Sequence, residues 1–64
     1  MAVVRRAVVT WDGDLLSGRG VASAKSSGAF TELPVTWAAR AEGPEGKTSP
    51  EELLAAAHAS CFAM

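Results

Sequence analysis

Thr48-Ser49-Pro50-Glu51-Glu52-Leu53-Leu54-Ala55-Ala56-Ala57-His58-Ala59-Ser60-Cys61-Phe62-Ala63-Met64 is the stretch whose reading decides the fold. It predicts a helix over residues 50–64. Ser49 suits the N-cap, because its hydroxyl can accept from a free amide of the first turn. Pro50 suits the first helical position, where its missing donor costs nothing. Glu52 completes a Ser-x-x-Glu capping box, and Glu51 and Glu52 both complement the positive end of the helix dipole. Beyond them nearly every residue is apolar or small, and a helix apolar on all sides is normally buried. Cys61, the one cysteine of the chain, falls in that part. No glycine, proline or basic residue closes the helix before Met64, so it reads as truncated.

At 100° per residue, Leu54, Ala57, His58 and Met64 share the side of Cys61. Ala55, Ala56, Ala59 and Glu52 lie roughly opposite. One face thus carries the thiol among larger groups, and another is paved with alanine, which lets a second helix approach closely. On composition alone the plain reading is a core helix with an inert cysteine, since free Cys is among the most buried residue types.

Outward from the helix the chain offers little else that is unusual. Its 64 residues make at most one small domain, and such domains bury only about 60% of their unfolded surface. A hydrophobic content of 48% is ordinary for a globular chain. The formal charge of −1 draws it neither to nucleic acid nor to an anionic membrane. The apolar run at residues 7–10 is too short for a signal-peptide core, and no stretch is long enough to span a bilayer. A single cysteine excludes an intramolecular disulfide, which fits a reducing cytoplasm.

The first forty residues read as strands and turns. Residues 2–11 are rich in valine, with Val3, Ala7, Val9 and Trp11 on the face toward the core. Asp12-Gly13-Asp14 is a turn and Ser17-Gly18-Arg19-Gly20 a second flexible point. Residues 20–25 form a modest strand that ends in a Ser26-Ser27-Gly28 turn. Pro34 marks an edge or a break. Residues 35–41 alternate, with Val35, Trp37 and Ala39 on one side and Thr36, Ala38 and Arg40 on the other, which predicts a third strand. Residues 42–47, with two glycines and a proline, are a loop. A short antiparallel β-meander followed by one long, buried, cysteine-bearing helix is an α+β arrangement.

The run from Ser49 to Phe62 resembles the cysteine-helix signature of the OsmC/Ohr family of thiol-dependent peroxidases. Trp11-Asp12-Gly13-Asp14 and Trp37-Ala38-Ala39-Arg40-Ala41-Glu42-Gly43 are similar to the OsmC branch more than to the Ohr branch. The likeness covers essentially the whole chain, but members of the family are about twice as long. It therefore implies that residues 1–64 are the N-terminal half of a single OsmC-like domain, whose missing C-terminal half carries the resolving cysteine. It also implies an intertwined homodimer with both sites at the subunit interface. The implied function is reduction of organic or hydrogen peroxides, in defence against oxidative and osmotic stress. The resemblance implies an organic hydroperoxide as substrate and a dithiol as reductant, and no cofactor or metal is expected.

Such chemistry rests on Cys61. A thiolate attacks the O–O bond of a peroxide and becomes a sulfenic acid. A free cysteine has a pKa of about 8.5, so the thiol must be helped to lose its proton. The helix dipole fades within the first turn and cannot do this. A nearby cation is required. Arg40 matches the active-site arginine of the OsmC branch, and Arg19 lies where the Ohr branch carries its arginine. Glu51 matches the family glutamate that holds the arginine. Without the resemblance, Arg40 reads as an exposed surface cation and Glu51 as dipole compensation. Ten residues of helix, about 15 Å, separate Glu51 from Cys61, so two crossing helices from two chains would bring one near the other.

His58 lies one turn before Cys61 on nearly the same face. A Cys–His nucleophile pair usually has an orienting third group. A metal site wants three or four ligands, and the chain has no other His or Cys. A packed or interface histidine is the default. Outside catalysis, the same residues fit a truncated half that only assembles with a partner chain, or a cysteine redox sensor.

Overall fold

The computed structural model describes residues 3–43 and 46–64. Three strands, β1 (Ala7–Asp12), β2 (Arg19–Ala24) and β3 (Leu33–Val35), are followed by a short helix α1 (Trp37–Ala41) and a long helix α2 (Pro50–Ala63). The strands form one antiparallel sheet in the order β1-β2-β3. This is the expected α+β meander and helix.

The register explains how the sheet face is built. Val9 pairs with Ala22 and Trp11 with Gly20, while Gly20 also faces Val35 on β3. A methyl group on Gly20 would run into the Thr10 carbonyl oxygen and lie 2.8 Å from Trp11 Cε3. The glycine is what lets the β1 backbone and the Trp11 indole both lie close to the middle strand. The β1–β2 turn is held by Asp14, whose Oδ1 accepts from the Ser17 amide (2.7 Å) and hydroxyl (2.6 Å). The Ser17 hydroxyl is the main reason that the Asp14 carboxyl titrates below its ordinary value. Pro34 sits in β3 at the sheet edge, where its missing donor breaks no further ladder.

Residues 35–41 are not a strand. The chain leaves β3 at Val35 and turns at once into α1. Thr36 is the N-cap, with an extended backbone and a side chain that accepts from the Ala39 amide at 3.2 Å. Alanine and arginine are strong helix formers, and a cap of this kind starts such a run. The alternation that suggested a strand rested on alanines, which fit either period. The other boundaries move by a few residues: β1 begins at Ala7, not Ala2, which lies outside the described residues, as do Pro44 and Glu45 of the expected loop.

α2 starts as expected. Ser49 Oγ accepts from the Glu52 amide at 3.1 Å, and Pro50 opens the first turn. The Glu52 carboxylate does not reach back to Ser49; it accepts instead from Thr48 Oγ1 at 2.6 Å. The expected burial of this helix is not found within the chain. None of its residues is buried, and Leu54, Phe62 and Met64 are widely exposed. Among the described apolar residues only Ala22 and Ala39 are buried. The Cα radius of gyration is 13.2 Å, against roughly 11 Å for a compact chain of this length. Only the first turns of α2 approach the sheet, and among the described residues the rest has no neighbour that covers it.

Candidate functional site

The site is assembled at the junction of the two helices. Capping by Thr36 fixes the start of α1, and three residues later Arg40 stands one turn along from Trp37. Capping by Ser49 fixes the start of α2 and places Glu51 in its first turn. The two side chains meet: Arg40 Nε donates to Glu51 Oε2 at 2.8 Å. The Arg40 hydrogen bond is the main cause holding the Glu51 carboxyl below its ordinary value. The carboxylate is also at the positive end of α2. Arg40 Cζ lies over the Trp37 ring, 5.9 Å from its centroid. Among the described residues no hydrogen bond engages either Nη of Arg40.

Beside this pair opens an apolar concavity of 570 Å³, walled by Val9, Trp11, Val35, Trp37 and Leu53, with Arg40 as its one charged lining group. Arg19 lies elsewhere, at the start of β2 opposite Asp12, and does not line it.

Cys61 is exposed in the third turn of α2 beyond Glu51. Helical rise sets it about 15 Å from the ion pair. The chain thus brings Arg40 and Glu51 together and leaves Cys61 apart from them. His58 shares an exposed stripe with Glu51, Leu54, Ala55, Ala59 and Phe62, which lines a shallow hollow along α2. No cluster of three or more His, Cys, Asp or Glu that could hold a metal ion occurs among the described residues. Among the described residues no helix is long and apolar enough to cross a membrane.

The sequence reading missed Trp37 as a neighbour of Arg40. Reading residues 35–41 as a strand put the two on opposite faces. A hydroxyl residue followed by Trp-Ala-Ala-Arg-Ala carried the signal, since helical spacing of three puts the first and fourth of these side by side.

A thiol on an apolar helix, headed by a glutamate that grips an arginine, is the arrangement that the resemblance to OsmC proteins led one to expect. The comparisons bear out the resemblance to the OsmC family along the whole length of the chain. It is 41% identical over all 64 residues to Peroxiredoxin OsmC of Escherichia coli (strain K12), and equally to Peroxiredoxin OsmC of Shigella flexneri. The chain spans 43% of the length of these curated relatives. No family model matches it, and no solved structure does.

Proposed function

We propose that this chain supplies the peroxidatic part of an OsmC-type organic hydroperoxide reductase, with Cys61 as nucleophile, Arg40 as its activating cation and Glu51 as the group that holds Arg40. The observation that carries this reading is the Arg40–Glu51 ion pair at the head of the helix that bears the only cysteine. The peroxiredoxin name of the relatives supports the reaction class.

In the proposed reaction the Cys61 thiolate attacks one peroxide oxygen. An S–O bond forms and the O–O bond breaks. The sulfur is oxidised to a sulfenic acid, and the departing alkoxide takes up a proton to become an alcohol. The Nη donors of Arg40 would stabilise the thiolate and the developing oxyanion. A thiol then attacks the sulfenic sulfur and releases water, and a second thiol displaces Cys61 from the mixed disulfide. With one cysteine in the 64 residues, both of these thiols come from elsewhere: a resolving cysteine outside this stretch, or a dithiol reductant.

The separation of Cys61 from its own chain's ion pair supports a site shared between two chains. In a homodimer with crossed α2 helices, Arg40 and Glu51 of one chain would serve Cys61 of the other. The exposed apolar residues Leu54, Phe62 and Met64 would be covered there and would favour organic peroxides over hydrogen peroxide. A reducing cytoplasm suits the unpaired thiol. The same separation gives the non-catalytic reading its weight: this stretch by itself would only assemble. The deciding experiment is consumption of cumene hydroperoxide by the whole protein and its Cys61→Ser variant. Loss of turnover in the variant supports the reading, and retained turnover overturns it.

A further inference from the structure

We propose that Trp37 is a positioning residue for Arg40, its ring fixing the plane of the guanidinium while Glu51 fixes its edge. An arginine side chain turns about several bonds, and a single contact through Nε leaves it free to swing about that contact. The Glu51 contact is also exposed to solvent and therefore screened. A second restraint is needed to aim Nη1 and Nη2 in one direction. Trp37 gives one: the indole lies under Arg40 Cζ at 5.9 Å, within reach of a cation–π contact, and tryptophan is the best ring for it.

The indole is itself held. It is half-buried and forms part of the apolar wall with Val9, Trp11, Val35 and Leu53. Buried Ala39 seats α1 against the rest of the chain, and the Thr36 cap fixes the turn from which Trp37 projects. Sheet, cap, ring and guanidinium thus form one chain of contacts that ends at the Nη donors. The consequence for peroxide reduction rests on Arg40 being the activating cation; the positioning does not.

The test uses NMR on the whole protein and its Trp37→Met and Trp37→Phe variants. In the unmutated protein the ring should move the Arg40 side-chain protons upfield, a readout that needs no variant. In Trp37→Met, exchange of the Arg40 Nε proton with water should quicken roughly two- to fivefold, the factor expected of an exposed cation–π contact. Trp37→Phe should stay within about twofold of the unmutated rate. Absence of the upfield shift, or equal loss in both variants, overturns the proposal. Peroxide consumption separates the two readings. If Arg40 loosens in Trp37→Met and turnover is unchanged, Trp37 still positions Arg40, and it is the role given to Arg40 that fails.

Discussion

Arg40 Nε and Glu51 Oε2 stand 2.8 Å apart, and theirs is the only side-chain hydrogen bond between α1 and α2 among the described residues. The contact orders the approach of the long helix to the sheet, and it leaves a signature in pH. The Arg40 hydrogen bond depresses the Glu51 carboxyl below the ordinary value of 4.5. What the pair adds to stability is therefore fully present above that value and is lost as pH falls through the lower, folded one. A carboxyl-detected NMR titration should find Glu51 below the ordinary glutamate range. In Arg40→Met it should move up. A midpoint indifferent to Arg40 would contradict the pairing.

The start of α2 was legible because its signals are local: Ser49, Pro50 and the two glutamates each act within one turn. The sheet was legible from valine-rich runs and glycine turns, and the shared face of Val9 and Trp11 followed from parity. α1 was misread because Ala38, Ala39 and Ala41 carry no preference between periods of two and 3.6, so the Thr36 cap decided. The exposure of α2 lies beyond pattern altogether. An apolar helix states that something covers it, but not which element or which chain. The Arg40–Glu51 contact was visible only through resemblance, since no spacing rule joins residues eleven apart across a loop.

The unpartnered face of α2 leads to a prediction about assembly. Ala22 and Ala39 are too little buried apolar surface to offset the entropy of ordering the described residues. The 64-residue chain should not persist alone as a folded monomer. Sedimentation should find a dimer or a larger assembly. A monodisperse 6.6 kDa species with a cooperative melt would overturn this.

Gly20 makes a local claim on the sheet. Its missing side chain gives room to Trp11 on one strand and Val35 on the other. Gly20→Ala in the whole protein should cost roughly 1–3 kcal/mol, the usual penalty for overpacking. The urea midpoint measures it, and an unchanged midpoint would mean that the β1 backbone at Thr10, and not only the Trp11 ring, can shift to make room.

His58 and Cys61 are separable by mutation. Cys61→Ser should abolish peroxide consumption by the whole protein, and His58→Ala should retain most of it, because no cluster of His, Cys, Asp or Glu surrounds His58 among the described residues to orient it. Equal loss in both variants would favour a Cys–His pair.

The last prediction concerns which arginine activates Cys61. Arg40 is not fixed by a strand's pleat; it is fixed on a helix, between the carboxylate of Glu51 and the ring of Trp37. Arg19 has neither restraint. It lies exposed at the first position of β2, between Gly18 and Gly20, and the one salt bridge among the described residues is not its own. A cation held beforehand loses less freedom when charge develops beside it, so it stabilises a transition state more effectively. Removing such a cation should lower the thiolate population at neutral pH by roughly tenfold or more. The measurement is the rate of iodoacetamide alkylation of Cys61 at pH 7 in the whole protein, with Arg40→Met and Arg19→Met side by side. Arg40→Met should slow it by about that factor, and Arg19→Met should leave it within about twofold. If only Arg19→Met slows the reaction, the cation is delivered from β2, and the Arg40–Glu51 pair is a structural clasp between the helices.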